Sequence, residues 1–274
     1  MPGNFLSSNP VEMLSDSFKD IRKSFTNYHV VGTLAWQDIA TRYKRSRIGA
    51  FWLTIGMAVS IAALGFVFGN LFKQSMKDYL PYLAIGTIFW GMLSSLLNEG
   101  GNSFVNSSGI ILQVRLPLFI HVLRVIWCNI LILGHNILIL PFVFLYYKKS
   151  VEITAFLAIP GFILFVMNTG WIMLTLAVIC SRFRDFGQIV QNVLHVLYFF
   201  TPIMWDEKLM PSRTGTAFLS LNPFYHLISV VRTPLLGGYP TTMNWTVCAV
   251  MMFAGWGVAL LLYGRYRKRI PYWL

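Results

Sequence analysis

Charged residues are scarce in this sequence, and carboxylates are the scarcest of them. Of its 274 residues, 12% are Asp, Glu, Lys or Arg and 56% are hydrophobic, with a mean hydropathy of +0.61. Soluble domains carry about 25% charged residues. The composition therefore excludes an ordinary soluble domain and predicts an integral membrane protein.

The few carboxylates are also misplaced for a proton- or ion-driven carrier. Such carriers usually hold an ionisable group at membrane depth, where its burial costs about 3 kcal/mol and has to be justified by function. Beyond residue 38, every carboxylate lies at the end of an apolar run or between two runs: Asp78, Glu99, Glu152, Asp185, Asp206 and Glu207. We therefore predict that the chain does not use a proton gradient.

Nucleotide, metal and nucleophile motifs are missing as well. No G-x-x-x-x-G-K-[ST] phosphate loop occurs, so the chain is not expected to hydrolyse ATP alone. The cysteines lack C-x-x-C spacing, and the histidines stand singly, so no disulfide framework and no metal site are predicted. A lone polar residue in an apolar run usually bonds a neighbouring helix. We expect this of His135, Asn136 and Asn168.

Six apolar runs are each close to the roughly 20 residues that a bilayer requires. They are residues 48–68, 80–97, 119–147, 153–180, 189–205 and 246–264. Fifteen Lys and Arg residues fall on the side that carries both termini, and seven on the other. By the positive-inside rule, both termini are predicted to be cytoplasmic. The net charge of +12 then indicates contact with lipid headgroups, and no nucleic-acid partner is expected.

The pattern divides the chain into a cytoplasmic segment 1–28, an amphipathic interface helix 29–47, a transmembrane domain 48–264 and a cytoplasmic tail 265–274. The first segment ends in a predicted short surface helix. The interface helix has apolar residues four apart, although Asp38 and Arg42 interrupt that face. The alternative for residues 29–47 is a cytoplasmic stub whose basic end anchors the first span.

Two connections contain apolar pieces too short to cross a membrane. The inner connection 99–119 predicts a short helix at 110–114, before Pro117. The outer connection 206–240 predicts two re-entrant half-helices, near 217–221 and 224–231. The fold class is therefore all-α and membrane-embedded, with six spans and short re-entrant helices between the fifth and the sixth.

Several residues have two interpretations. Arg124 lies about one turn into the third run, where it either snorkels to the inner surface or holds a phosphate headgroup. The G-x-x-x-G pair Gly65 and Gly69 permits close packing within one subunit or across a dimer. Aromatic residues of the first and fifth runs form either an interfacial belt or a wall for sugars or a lipid chain. They include Phe51, Trp52, Phe66, Phe68, Tyr198, Phe199 and Phe200.

Four stretches also carry a family resemblance: RYKRSRIGAFW, VNSSGIILQVRLPLFIHVLR, SRFRDFGQIVQNVLHVLYFFTPIMW and LNPFYHLISVVRTPLLGG. In this order they resemble the permease subunit of ABC-2 type polysaccharide exporters, which export lipid-linked O-antigen, capsule or teichoic acid. The resemblance implies a non-catalytic permease homodimer in the bacterial inner membrane. Two copies of a separate ABC ATPase would bind ATP and Mg²⁺, so no cofactor is expected in this chain.

The resemblance also implies roles for particular residues. ATPase contacts are expected at Arg42, Arg45, Arg47, Asn106, Ile110 and Arg115, with Arg182, Arg184 and Asp185 nearby. The polymer would pass along the aromatic residues named above and Arg124, between two permeases. Trp205, Asn222, Pro223 and Arg232 would form an outer gate. The implied substrate is undecaprenyl-pyrophosphate-linked O-antigen. The alternatives are capsule or teichoic-acid export and, more remotely, a membrane-embedded glycosyl- or acyltransferase.

Overall fold

The computed structural model describes residues 10–44, 48–49, 51–207 and 218–274. Every extended regular element in these residues is a helix. The first eight are α1 Pro10–Thr26, α2 Tyr28–Tyr43, α3 Phe51–Leu71, α4 Met76–Gly101, α5 Ser103–Asn106, α6 Ser108–Gln113, α7 Phe119–Ile137 and α8 Ile139–Tyr146. A 3-10 turn, Ile153–Leu157, leads into α9 Ala158–Arg182, α10 Phe186–Phe200, α11 Pro223–Leu235, α12 Thr242–Tyr266 and α13 Ile270–Trp273.

Five helical segments in the described part of the chain are long and apolar enough to cross a membrane. They are α3, α4, α7 continued by α8, the 3-10 turn continued by α9, and α12. The chain is therefore a multi-pass membrane protein. The run at 189–205 forms α10, which has 15 residues and ends at Phe200 because Thr201 is extended and Pro202 follows. At 1.5 Å per residue, α10 is only about 22 Å long. The sixth span stays a prediction.

Helix α4 lies at the centre of the bundle. In its most apolar window 78% of the residues are buried, against 11% in α3. It contacts α3, α7, α9 and α10, and its apolar residues surround the whole helix, as expected of a central helix. Helix α3 in contrast presents most of its apolar surface outward.

The G-x-x-x-G pair packs within the subunit. A Cβ atom on Gly65 would lie 2.3 Å from Leu80 Cδ1, and one on Gly69 would lie 2.5 Å from Met76 Sδ. Only glycine allows α3 to approach α4 this closely. Of the two interpretations of this pair, the structure selects packing inside one chain.

Helices occur at the shorter predicted segments. The predicted inner helix is α6, preceded by the unpredicted α5, and α11 covers the second outer piece, whose re-entry into the membrane stays a prediction. Residues 218–221 are helical, and the start of the first half-helix lies outside the described residues. The N-terminal surface helix is the 17-residue α1, and the predicted interface helix ends at Tyr43.

The three polar residues expected to bond neighbouring helices behave differently. Asn168 of α9 donates to the Cys248 carbonyl of α12 at 2.9 Å, as predicted. The prediction is wrong for His135, which bonds the Leu131 carbonyl of its own helix. Asn136 Oδ1 has no hydrogen-bond partner among the described residues.

Candidate functional site

The two charged residues that interrupt the apolar face of α2 join this helix to the bundle. Asp38 accepts hydrogen bonds from Nε and Nη2 of Arg124, on α7. The side chains of Arg124 and Asp38 are 18% and 32% exposed, so the pair is partly shielded from water. Arg124 thus has a protein partner on the predicted interface helix. Both its snorkelling to the inner surface and its place on a substrate path stay predictions.

A second ion pair joins α2 to the inner end of α4. Arg42 lies 3.4 Å from Glu99, and both side chains are substantially exposed. N-terminal to both charged residues, Val31 and Ala35 are buried in the packing of α2 on α7. Arg42 is thus engaged within the subunit, whereas Arg45 and Arg47, which were predicted to contact an ATPase, lie outside the described residues.

The inner connection between α4 and α7 is anchored on one side and open on the other. Phe104 of α5 is fully buried and stacks on Tyr263 of α12, with ring centroids 6.4 Å apart. Asn106 and Arg115 are exposed, and Ile110 is half-buried. Leu112 and Val114 are exposed beside them. The connection therefore offers apolar, polar and cationic groups on one accessible surface.

A buried carboxylate that the sequence analysis did not select holds the end of this connection. Asp20 of α1 accepts from the Phe119 backbone N–H at 3.1 Å and from the Tyr263 hydroxyl at 2.6 Å. It also lies 3.3 Å from Arg267 Nη1. Phe119 begins α7, so a carboxylate from another helix satisfies one of the N–H groups that a helix start leaves free.

Helix α1, the inner connection and the tail enclose a cleft of about 450 Å³. Its walls carry both Asp16 and Asp20, which pair with Arg267. The remaining charges of the cleft are cations, Lys19, Lys23 and Arg115, and no carboxylate lies within 4 Å of them in the described chain. The cleft therefore has an uncompensated positive side, adjacent to the apolar residues of α6.

The charged bend between α9 and α10 touches the C-terminal helix α13. The Arg182 guanidinium lies 5.6 Å from the Trp273 ring centroid, and Arg184 Nη2 donates to the Leu274 carbonyl at 3.1 Å. Asp185 is exposed at the start of α10. Helix α13 contacts both α6 and α9. The inner connection and the charged bend, two of the predicted ATPase-contact regions, therefore lie at the same end of the bundle.

At the other end, three of the four predicted gate residues, Trp205, Asn222 and Arg232, bond the end of α10 or the turn that follows it. Asn222 donates to Thr201 Oγ1 at 3.1 Å, and its Oδ1 caps α11, in which Pro223 is the first residue. Trp205 Nε1 donates to the Phe199 carbonyl at 3.0 Å. Arg232, only 3% exposed, donates to the Pro202 carbonyl at 2.6 Å.

Two tyrosines of α4 complete this outer cluster. The Arg232 guanidinium lies 3.9 Å from the ring centroid of Tyr82, a cation–π contact, and the Tyr82 hydroxyl donates to the Pro202 carbonyl at 3.0 Å. The Tyr79 hydroxyl donates to the Met204 carbonyl. Sequence reasoning missed both residues, because tyrosine near a span end is also the ordinary interfacial pattern. The sequence signal for these two tyrosines was that they lie three residues apart, on either side of Pro81.

The outer turn carries one titratable pair. Tyr225 of α11 donates its hydroxyl to Glu207, which follows the turn. Burial, and next to it the hydrogen bond to Glu207, together raise the pKa of Tyr225 to about 12. Tyr225 therefore remains a neutral donor throughout the physiological range and holds Glu207 against α11.

The aromatic residues predicted on a substrate path fall into two groups. Phe51, Trp52, Phe66, Phe199 and Phe200 are all between 48% and 68% exposed. Phe68 and Tyr198 instead pack, from α3 and α10, against one buried cluster around Tyr79 and Leu83. The exposed group lies on outward apolar surfaces of α3 and α10, and the other group joins the two helices to α4.

No group of three His, Cys, Asp or Glu residues that could hold a metal ion occurs in the described ranges. The functional groups are instead ion pairs at one end of a helical bundle and a hydrogen-bonded turn at the other. The fold and these sites define a polytopic membrane protein with interaction surfaces at both ends. Residues 29–236 match the family model of the ABC-2 type transporter, and the chain belongs to this family.

The chain is similar to three curated transport proteins over most of its length. It is 23% identical to the O-antigen export system permease protein RfbA of Klebsiella pneumoniae, covering 80% of this chain and 83% of that one. It is 21% identical to RfbA of Myxococcus xanthus, covering 76% and 81%. It is 23% identical to the polysialic acid transport protein KpsM of Escherichia coli, covering 76% and 82%.

Proposed function

We propose that this chain is the transmembrane subunit of an ATP-driven exporter of lipid-linked polysaccharide, with O-antigen as the first candidate substrate. The observation that carries the proposal is the similarity to O-antigen export permeases across about four-fifths of both chains. The same chain is also similar to a polysialic acid transport protein, so capsule polysaccharide is the second candidate. The proposed setting is the bacterial inner membrane, with both termini cytoplasmic and two permeases per exporter.

In this proposal, ATP hydrolysis takes place in two copies of a separate ABC ATPase. Its docking surface is the inner end of the bundle, where α6 exposes Leu112 beside Val114 and Arg115. A push on α6 would reach Phe119, which Asp20 connects to α1 and to Tyr263 of α12. A loop displacement would thus be transmitted to the last span as well as to α7.

At the outer end, opening would require release of the turn at residues 201–205. Arg232 and Asn222 hold this turn against α11, and the tyrosines hold it against α4. Since α10 leads directly into the turn, a displacement of α10 would break or rearrange these bonds. The exposed aromatic residues of α3 and α10 would then line the route of the polymer between two permeases.

Reversing the charge of Arg115 tests the proposed docking surface. We expect Arg115→Glu to weaken association with the proposed partner ABC ATPase by about tenfold, which corresponds to about 1.4 kcal/mol. The measurement is co-purification from membranes that express both chains, with polysaccharide export as a second readout. Lys77→Glu is the matched control and should leave association unchanged. Lys77 is also exposed, and it lies at the end of α4 opposite to the inner connection.

The possible results distinguish the proposed export function from the proposed docking surface at Arg115. If the unmodified chain retains no ATPase and restores neither O-antigen nor capsule export in a permease-deficient strain, the exporter proposal is wrong. Sugar or acyl transfer by the purified chain alone would instead favour the transferase alternative. If Arg115→Glu behaves like Lys77→Glu, the exporter stands and only the docking surface at Arg115 is wrong.

Arg232→Lys tests the outer turn. Lysine keeps the charge but lacks the planar group that stacks on Tyr82 while it donates to Pro202. We expect a loss of about 1–2 kcal/mol of stability and a severalfold fall in export, with ATPase association unchanged. Arg22→Lys, at an exposed position of α1, is the control. If Arg232→Lys exports polysaccharide normally, Arg232 is not part of the outer gate.

A further inference from the structure

Helix α1 has three distinct faces. One is buried and carries Met13, Ser17, Asp20 and Ser24. The second is apolar but exposed, and the third carries the charged residues Glu12, Lys19, Arg22 and Lys23, of which none is buried. Packing within the chain explains the first face. On the second face the ring centroid of Phe25 lies 6.3 Å from that of Phe119, yet the Phe25 side chain stays 59% exposed.

The buried face fixes the height of α1 along the bundle. Ser17 Oγ donates to the Leu260 carbonyl at 2.8 Å, and Tyr263 binds Asp20. A Cβ atom on Gly264 would lie 2.3 Å from the Met13 carbonyl oxygen, so the two helices are in direct backbone contact there. These residues form the last two turns of α12, which is long and apolar enough to cross a membrane. Helix α1 therefore lies where a membrane span ends.

The exposed apolar face consists of Val11, Phe18 and Phe25, which are 71%, 57% and 59% exposed. Residues seven apart drift by only about 20° around a helix, so the three side chains form one stripe. Within the turns of α12 that contact α1, Leu261 is exposed as well. The stripe thus lies at the level where a spanning helix still presents apolar surface.

We infer that α1 is a membrane-surface helix whose Val11–Phe18–Phe25 stripe enters the headgroup and acyl boundary of an anionic bilayer. The distribution of charge fits this partner, because Arg22 follows the stripe around the helix and would meet lipid phosphates. Lys19 and Lys23 lie further round, on the flank that lines the cleft beside Arg115. One flank of α1 would then face lipid and the opposite flank would face the cytoplasm.

This position gives the helix a mechanical role. Asp20 binds Phe119 at the start of α7 and Arg267 after α12. A helix held in the bilayer surface would keep these two helix ends at a fixed depth while the inner connection moves. The surface helix predicted at the end of segment 1–28 would thus lie on the membrane, over residues 10–26.

Site-directed spin labels test the inference directly. Single cysteines replace Val11, Phe18 or Phe25 on the stripe, and Glu12, Ser15 or Lys19 on the charged flank, with the native cysteines changed to alanine. The full chain is placed in nanodiscs that contain phosphatidylglycerol, and collision with oxygen and with a water-soluble nickel chelate is measured. We expect the stripe positions to be accessible to oxygen and protected from nickel, with the reverse at Lys19.

Two results would overturn the inference. Nickel access at the stripe equal to that at Lys19 would place α1 in water. Protection of the stripe from both reagents would mean that protein covers it, as a second copy of the chain would. Three stripe positions are sampled so that one label that disturbs folding does not decide the result. The measurement needs no ATPase, so its outcome is independent of the proposed export function.

Discussion

Arg124→Asp is expected to abolish recovery of folded protein, and Asp38→Arg in the same chain is expected to restore it. The single change places two carboxylates where a bidentate ion pair joined α2 to α7. Removing one member of a buried pair costs about 3–5 kcal/mol, and we lower this to about 2–3 kcal/mol because both side chains are partly exposed. Repulsion between the two carboxylates adds to this loss.

The measurement is fluorescence-detected size exclusion of detergent extracts, followed by thermal melting of the recovered protein. The matched control reverses the exposed pair, with Arg42→Glu and Glu99→Arg made separately and together. Because both of those side chains are well exposed, each single change should cost less than about 1 kcal/mol. A well-folded Arg124→Asp protein, or a double variant as unstable as the single one, would show that this pair does not hold α2 in place.

The importance of this pair could not be predicted from the sequence, although the helix that carries it could. Apolar periodicity identified α2, and Asp38 and Arg42 appeared only as interruptions of its apolar face. Their partners, Arg124 and Glu99, are 86 and 57 residues away along the chain. Periodicity describes one helix at a time, so it cannot say which charges of two helices will meet.

The membrane-spanning runs were predictable because twenty apolar residues are a strong signal on their own. Helix α10 shows the limit of that signal. The apolar run continues to Trp205, but the helix ends at Phe200 and the remaining residues form the outer turn. Composition records how apolar a segment is, whereas Thr201 and Pro202 decide how far its hydrogen-bonded helix extends.

The outer site was predicted in part. The apolar piece near 224–231 located α11, and the structure adds that Asn222 caps the helix and Pro223 is its first residue. The contribution of Tyr79 and Tyr82 depends on the approach of α4 to the turn, which no local pattern records. Asp20 is similar, since its three partners come from α7, α12 and the segment after α12.

Gly161→Ala is expected to displace the outer helix α11 and with it the turn at residues 201–205. A Cβ atom on Gly161 of α9 would lie 2.2 Å from the Val230 carbonyl oxygen and 2.9 Å from its carbonyl carbon. These are backbone atoms in the middle of α11, so no change of rotamer can relieve the contact. Inserting an atom into a closely packed interface costs about 1–3 kcal/mol, and we expect the upper end of this range.

The consequence for function follows from what α11 carries. Arg232 is two residues beyond Val230 and binds Pro202, so a shift of α11 would weaken the closed outer turn while the inner surface stays intact. Gly161→Ala should therefore melt several degrees lower and export poorly, yet retain the ATPase. Gly257→Ala of α12 is the control, because its Cβ meets no described atom within 4 Å. If both glycine variants melt and export alike, the close contact between α9 and α11 does not hold the outer turn in place.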